Sequence, residues 1–137
     1  FARDINANAT PDGIETLYAR SHLVISSRVR GIRPPIDTVY RHIQDDAGLE
    51  AATRQGRALG FFGRSCIHPR QVPIVNAVFT PTAEELEWAR SVVDASANAE
   101  AAGSGALKLP SGEFVDVAVL RRAEDLLKLA AAVGAEG

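Results

Sequence analysis

The sequence predicts an α/β fold in which βα units feed a parallel sheet, followed by an appendage of helix, β-hairpin and helix. Three observations carry this expectation. Helical and strand-like segments alternate through Phe79 in the order helix, strand, helix, strand, helix, the pattern of parallel βα units. The 137 residues are 46% hydrophobic and 23% charged, the composition of a globular domain with a core of its own. No run approaches the ~18 to 20 apolar residues that a membrane helix requires, and Phe1-Ala2-Arg3-Asp4 looks like neither a signal nor a transit peptide, so the expectation is a soluble cytoplasmic protein.

Each element has a local reason. From Thr10-Pro11 to Gly31, Ile14, Leu17, Tyr18, Val24 and Ile25 recur at helical spacing, with Thr10 as N-cap, Pro11 in the first turn and Gly31 as the stop. Pro34-Pro35 then forces extended backbone into Ile36-Asp37-Thr38-Val39-Tyr40, a β-branched run that reads as a strand. A second helix is expected over Gly48 to Leu59, with Leu49, Ala52 and Leu59 inward and Gly60 closing it. Gly63 to Ile67 reads as a strand running into His68-Pro69, and Gln71 to Phe79 as a short helix. Thr82 and Glu85 have the capping-box spacing, which starts a long helix whose inward stripe is Leu86, Ala89, Val92 and Val93 and which runs as far as Gly103. Leu107-Lys108-Leu109 and Phe114 to Val117 flank the turn Pro110-Ser111-Gly112-Glu113 and predict a hairpin. The last helix carries Val119, Leu120, Ala123, Leu126, Leu127, Ala130 and Val133 inward and ends near Gly134. The Ala-rich, Gly-punctuated stretch from Ala95 to Gly105 is the expected hinge, dividing a domain at 1–94 from an extension at 95–137.

Fifteen basic and seventeen acidic side chains leave a net charge of −2, which gives no electrostatic footprint for nucleic acid or an anionic membrane. The one cysteine, Cys66, can form no internal disulfide and reads as a small core residue. With no Met and a Phe at position 1, the chain reads as a piece of a longer translation product. No P-loop, GxGxxG after a strand, HExxH, GxSxG or CxxC occurs. Chemistry is instead expected of four polar residues at strand ends or turns: Asp4, Asp37, His68 and Asp116. Each has two readings. Asp4 is a solvated or capping carboxylate, or a ligand for a hard divalent cation; Asp37 stabilises a turn or lines a site; His68 is a structural hydrogen bonder or an acid, base or ligand; Asp116 is an exposed ribbon position or a functional acid. Arg28, Arg30 and Arg33 suit the end of a helix dipole, with a phosphate site as the alternative.

Taken together, Asp4-Ile5, Leu17-Tyr18-Ala19-Arg20-Ser21, Ile36 to Tyr40, Ile67-His68-Pro69-Arg70-Gln71-Val72, Asn76 through Phe79-Thr80-Pro81, and Gly112 through Val115-Asp116 resemble one family in order and spacing. The chain is similar to the C-terminal half of citrate lyase β-subunit-like proteins, in the HpcH/HpaI aldolase superfamily with malyl-CoA and citramalyl-CoA lyases. The resemblance spans nearly the whole chain, and its most specific piece is the run from Ile67 to Val72 followed by Phe79-Thr80-Pro81. Thr38 stands where the family commonly has Gly, and Arg64 where it commonly has Lys.

The resemblance implies the C-terminal part of a (β/α)8 TIM barrel, which needs ~250 residues when complete, followed by the helix-hairpin-helix extension. It implies an Mg²⁺-dependent lyase, with Mn²⁺ as the alternative metal, that splits or condenses a CoA thioester and a small 2-oxo acid in a homo-oligomer, trimeric or hexameric. By that resemblance Asp4 is the metal Asp, Asp37 and His68-Pro69 line the mouth where coenzyme A enters, and Asp116 is a catalytic acid reaching a neighbouring subunit. The partner Glu and a substrate Arg are expected upstream of residue 1. The alternatives are a thioesterase of malyl-CoA or citramalyl-CoA and a catalytically inactive half-barrel that binds a partner.

Overall fold

The computed structural model describes residues 1–101, 107–109 and 112–134. It divides into two compact units, residues 1–79 and 80–137.

The first unit contains α1 (Ile14–Val29), β1 (Ile36–Asp37), α2 (Asp46–Leu59), β2 (Gly63–Arg64) and α3 (Gln71–Phe79). The strands β1 and β2 pair in parallel, with Ile36 opposite Gly63 and Asp37 opposite Arg64, as alternating βα units require. Helix α1 starts later than the sequence predicts. Its N-cap is Gly13 in the left-handed region, at φ 64°, and the Thr10 hydroxyl and amide bind the Glu15 carboxylate instead of capping the helix. Pro11 therefore lies outside α1. The inward stripe also differs, since only Val24 and Ser27 are buried on α1, while Ile14, Leu17, Tyr18 and Ile25 are exposed.

Both strands are shorter than predicted, two residues each. Beyond them side chains hold the backbone: the Arg64 guanidinium donates to the Thr38 carbonyl at 2.8 Å and the Gln71 amide to the Tyr40 carbonyl at 2.9 Å. Helix α2 begins at Asp46, two positions before Gly48, because Asp45 caps it by accepting the Gly48 N–H at 2.9 Å. Gly60 closes it at φ 95°, as expected. Gly56 within α2 is a position of close approach, where a Cβ would sit 2.6 Å from an Asp37 carboxylate oxygen. Val24, Leu49, Phe61, Val75 and Val78 are the buried apolar residues of this unit, with Thr53 and Gln71 buried as well.

The second unit holds α4 (Ala83–Ala101), β3 (Leu107–Lys108), β4 (Phe114–Val115) and α5 (Val117–Val133). Thr82 and Glu85 form the capping box, with the Thr82 N–H donating to the Glu85 carboxylate at 2.9 Å and the Glu85 N–H to the Thr82 hydroxyl at 3.2 Å. The strands β3 and β4 pair antiparallel, Leu107 opposite Val115. Pro110 and Ser111 of the predicted turn, and residues 102–105 of the predicted hinge, lie outside the described residues. Ala89, Val92, Leu109, Val115 and Ala123 form a closed apolar cluster, with Trp88, Leu120, Leu126 and Leu127 against it. Because the buried stripe of α4 packs within this cluster, α4 groups with the hairpin and α5, and the compact units divide at 79/80 instead of at the expected 94/95. Among the described residues, no helix is long and apolar enough to cross a membrane.

Candidate functional site

A parallel βα pair gathers functional groups where the strands end, because both chains leave the sheet on the same side. Here those ends are Asp37 through Tyr40 after β1 and Arg64 through His68 after β2. Asp37 is 2% exposed and receives two guanidinium groups. Arg20 from α1 donates in fork geometry to both carboxylate oxygens, at 3.2 and 2.6 Å, and Arg64 donates to one of them at 2.6 Å. Arg64 also reaches the Ala52 carbonyl of α2 at 2.8 Å, while Arg20 reaches the Gln55 amide oxygen at 2.6 Å. Four elements thus meet at one carboxylate. Two cations and one anion leave a net charge of +1 in a buried place. Burial pushes the Arg64 guanidinium below its ordinary value, the Asp37 charge opposes that, and Arg20 adds to it. The Arg64 Nε is buried without a hydrogen-bond partner.

Above this floor the two strand-end loops are tied together. Gln71, 1% exposed, accepts the Ile67 N–H at 2.9 Å and donates to the Tyr40 carbonyl, so one amide bridges both loops. The neighbouring Arg70 forks onto Asp46 at 3.2 and 2.7 Å and reaches Gln44 at 3.2 Å. Tyr40 donates its hydroxyl to Asp45, a bond that raises the phenol above its ordinary value and holds the Asp45 carboxyl below its own. An open cleft of about 1390 Å³ adjoins this arrangement, lined by Arg20, Asp37, Thr38, Tyr40, Arg64 and Ser65 among others.

The residues predicted from sequence are placed unequally. Asp37 is the hub of the buried network, not a turn carboxylate. His68 and Pro69 are exposed on the loop after β2, and the His68 Nδ1 accepts the Arg70 N–H at 3.2 Å. Cys66 is half-buried, its thiol 3.8 Å from the Arg64 carbonyl. The Asp4 side chain is 80% exposed and lies 3.2 Å from the Phe1 amino group. Among the described residues no group of three or more His, Cys, Asp or Glu could hold a metal ion. One exposed carboxylate does not by itself satisfy a cation such as Mg²⁺, which takes octahedral oxygen coordination. Asp116 lies in the second unit, where it is the N-cap of α5: its Oδ1 accepts the Ala118 and Val119 N–H groups at 2.8 and 2.9 Å.

Arg20 and Gln71 are the members of this network that residue-by-residue reading does not single out. A guanidinium on a helix and an amide at a helix start read locally as surface groups.

A family model for C-C bond lyases of the TIM-barrel fold matches residues 14–130. The chain belongs to that family. The citrate lyase β subunit of Leuconostoc mesenteroides subsp. cremoris is 38% identical over 130 residues, 95% of this chain and 42% of that protein. The mitochondrial citramalyl-CoA lyase of Rattus norvegicus is 33% identical over 133 residues, 97% of this chain and 39% of that protein. Among solved structures, CitE from Mycobacterium tuberculosis, in complex with magnesium, acetoacetate and coenzyme A, matches with a TM-score of 0.77 and 30% identity, over 96% of this chain and 49% of that one. The chain spans less than half the length of each of these relatives.

Proposed function

We propose that the protein is a CoA-ester lyase, which splits a hydroxyacyl-CoA such as malyl-CoA or citramalyl-CoA, or runs the reverse condensation, and that these residues are the C-terminal half of its barrel with the helix-hairpin-helix extension. The observation that carries the reading is the likeness, over 96% of the chain, to a protein solved with magnesium, acetoacetate and coenzyme A. In the cleavage direction the hydroxyl of the substrate loses its proton, the carbon–carbon bond breaks to leave a 2-oxo acid, and the electron pair passes into the enolate of the thioester, which takes a proton at carbon. Asp116 is the acid for that last step, acting in a neighbouring subunit of a homo-oligomer, trimeric or hexameric. In support, capping α5 holds the Asp116 carboxylate in place through Oδ1, and among the described residues no hydrogen bond is made to Oδ2.

Asp37 acts by fixing the strand ends, and His68 and Pro69 line the approach of the coenzyme A chain. Asp4 contributes one oxygen to Mg²⁺ only together with ligands outside these residues, a Glu by resemblance. The intact protein is assayed with malyl-CoA and citramalyl-CoA, following both free CoA thiol and 2-oxo acid. The lyase releases the 2-oxo acid with acyl-CoA and no free thiol. Free thiol without 2-oxo acid makes it a thioesterase, and no turnover of either ester leaves an interaction module. Asp4→Asn is expected to weaken Mg²⁺ binding in calorimetry at least tenfold; equal affinity removes Asp4 from the metal site.

A further inference from the structure

Helix α1 carries an apolar stripe that nothing in its own unit covers. Ile14, Tyr18, Ile25 and Val29 are 65, 81, 60 and 80% exposed, and they recur at a spacing that keeps them on one face. The side that meets the rest of the unit is marked by Arg20, Val24 and Ser27. On a 3.6-residue helix the two faces lie roughly 150° apart. Leu23, on one flank of the helix, lines the cleft, whereas none of the four stripe residues does. The stripe therefore points away from the sheet and from that flank, where a helix of this kind ordinarily presents polar residues.

We propose that this stripe is a contact between two copies of the chain, made by antiparallel pairing of α1 with its symmetry mate. The sequence of the stripe is the reason for choosing a second copy. It is palindromic in apolar character about a point between Ser21 and His22: antiparallel pairing on that centre sets Ile14 against the partner's Val29, and Tyr18 against the partner's Ile25. A two-fold contact has this property, because each patch must complement itself. Charge agrees with the direction. The N-terminal end of α1 is acidic, with Asp12 and Glu15, and the C-terminal end is basic, with Arg28, Arg30 and Arg33. Antiparallel pairing brings the acidic end of one copy to the basic end of the other, and it also opposes the two helix dipoles; parallel pairing would stack like charges at both ends.

A 16-residue helix is about 24 Å long, so a single helix pair is smaller than the standard interface of about 1,200–2,000 Å². The expected association is accordingly weak, in the micromolar range, and it is a two-fold step additional to any contact through Asp116.

The test is sedimentation equilibrium of the intact protein from low to high micromolar concentration. The parent is expected to double in mass across the series, and Tyr18→Lys/Ile25→Lys to weaken that step at least tenfold without changing the melting temperature. Arg28→Glu/Arg30→Glu is expected to weaken it as well. Adding Asp12→Lys/Glu15→Lys to that variant exchanges the end charges within each copy and is expected to restore association. Equal dissociation of the two charge variants overturns the antiparallel pairing. A parent that never doubles overturns the second copy: unchanged melting of the Tyr18→Lys/Ile25→Lys variant then assigns the stripe to a foreign partner, and lowered melting assigns it to another segment of the same protein. Turnover of CoA esters is a separate readout, so failure here leaves the lyase reading intact, and the reverse holds too.

Discussion

The interiors of the two units are built by opposite means. Every buried polar side chain among the described residues, Ser27, Asp37, Thr53, Arg64 and Gln71, lies in the first unit, whereas the second closes on Ala89, Val92, Leu109, Val115 and Ala123 with no buried polar partner. Apolar packing is tolerant, since volume and pattern suffice to form it. A buried ion network is intolerant, because removing one member leaves the others desolvated and unpaired. The difference shows where position matters. The first unit contains the parallel strand ends and specifies them to within a hydrogen bond, while the second is closed by packing that other side chains of similar volume and pattern could supply.

The sharpest way to break this contrast is Asp37→Ala, which strands the Arg20 and Arg64 guanidiniums. The expected loss is about 3–5 kcal/mol in denaturant unfolding of the intact protein; a loss below about 1 kcal/mol would mean that the first unit, like the second, is held by apolar packing. Val92→Ala in the second unit removes two methyl groups from a fully buried site and is expected to lower stability by about 2 kcal/mol, read in the same experiment. Smaller again is Asp116→Ala, which removes the α5 cap at about 1 kcal/mol. Asp116→Ser keeps a capping oxygen and is expected to restore most of that stability. If Asp116 is the proposed acid, the serine variant still turns over far more slowly than the parent, so comparing the two variants separates cap from chemistry.

The smallest effect is one of pH. Asp45 has a folded value held below the ordinary carboxylate value, mainly by the Tyr40 hydroxyl. A depressed carboxylate stabilises the fold above its unfolded value of about 3.9, and the contribution fades as pH falls from there through the folded value. Tyr40→Phe is expected to lower melting slightly at neutral pH, where the contribution is full, and to leave it unaltered at the acid end, so that the acid-side slope flattens in thermal scans between about pH 2 and 7.

Local signals served well where the stabilising partner lies nearby in sequence. Helix α3 has the predicted bounds, and the Thr82–Glu85 box and the Gly60 stop stand where their residue types put them. The start of α1 was misplaced because Thr10-Pro11 has the form of a cap, but the Thr10 hydroxyl is taken by Glu15 and the chain turns at Gly13. The segment after β1 was less legible: nothing in Thr38-Val39-Tyr40 reveals that Arg64 and Gln71 will hold its carbonyls from 26 and 31 residues away. The candidate site was legible in outline only. Asp37 stood out as a polar residue at a strand end, but its two cations come from α1 and β2, and a charge on a helix surface looks the same in sequence whether it meets water or a buried carboxylate.

The Gln71 bridge has a consequence for motion. Ile67 belongs to no strand, yet its amide hydrogen is held by a side chain that is 1% exposed, so exchange with solvent deuterium requires the start of α3 to move off the loops. The loop amide at Ile67 should therefore exchange at the rate of α3 and not at that of a surface turn. The ends of the two strands then open and close as one body with that helix, and a ligand that steadies either loop slows exchange in both.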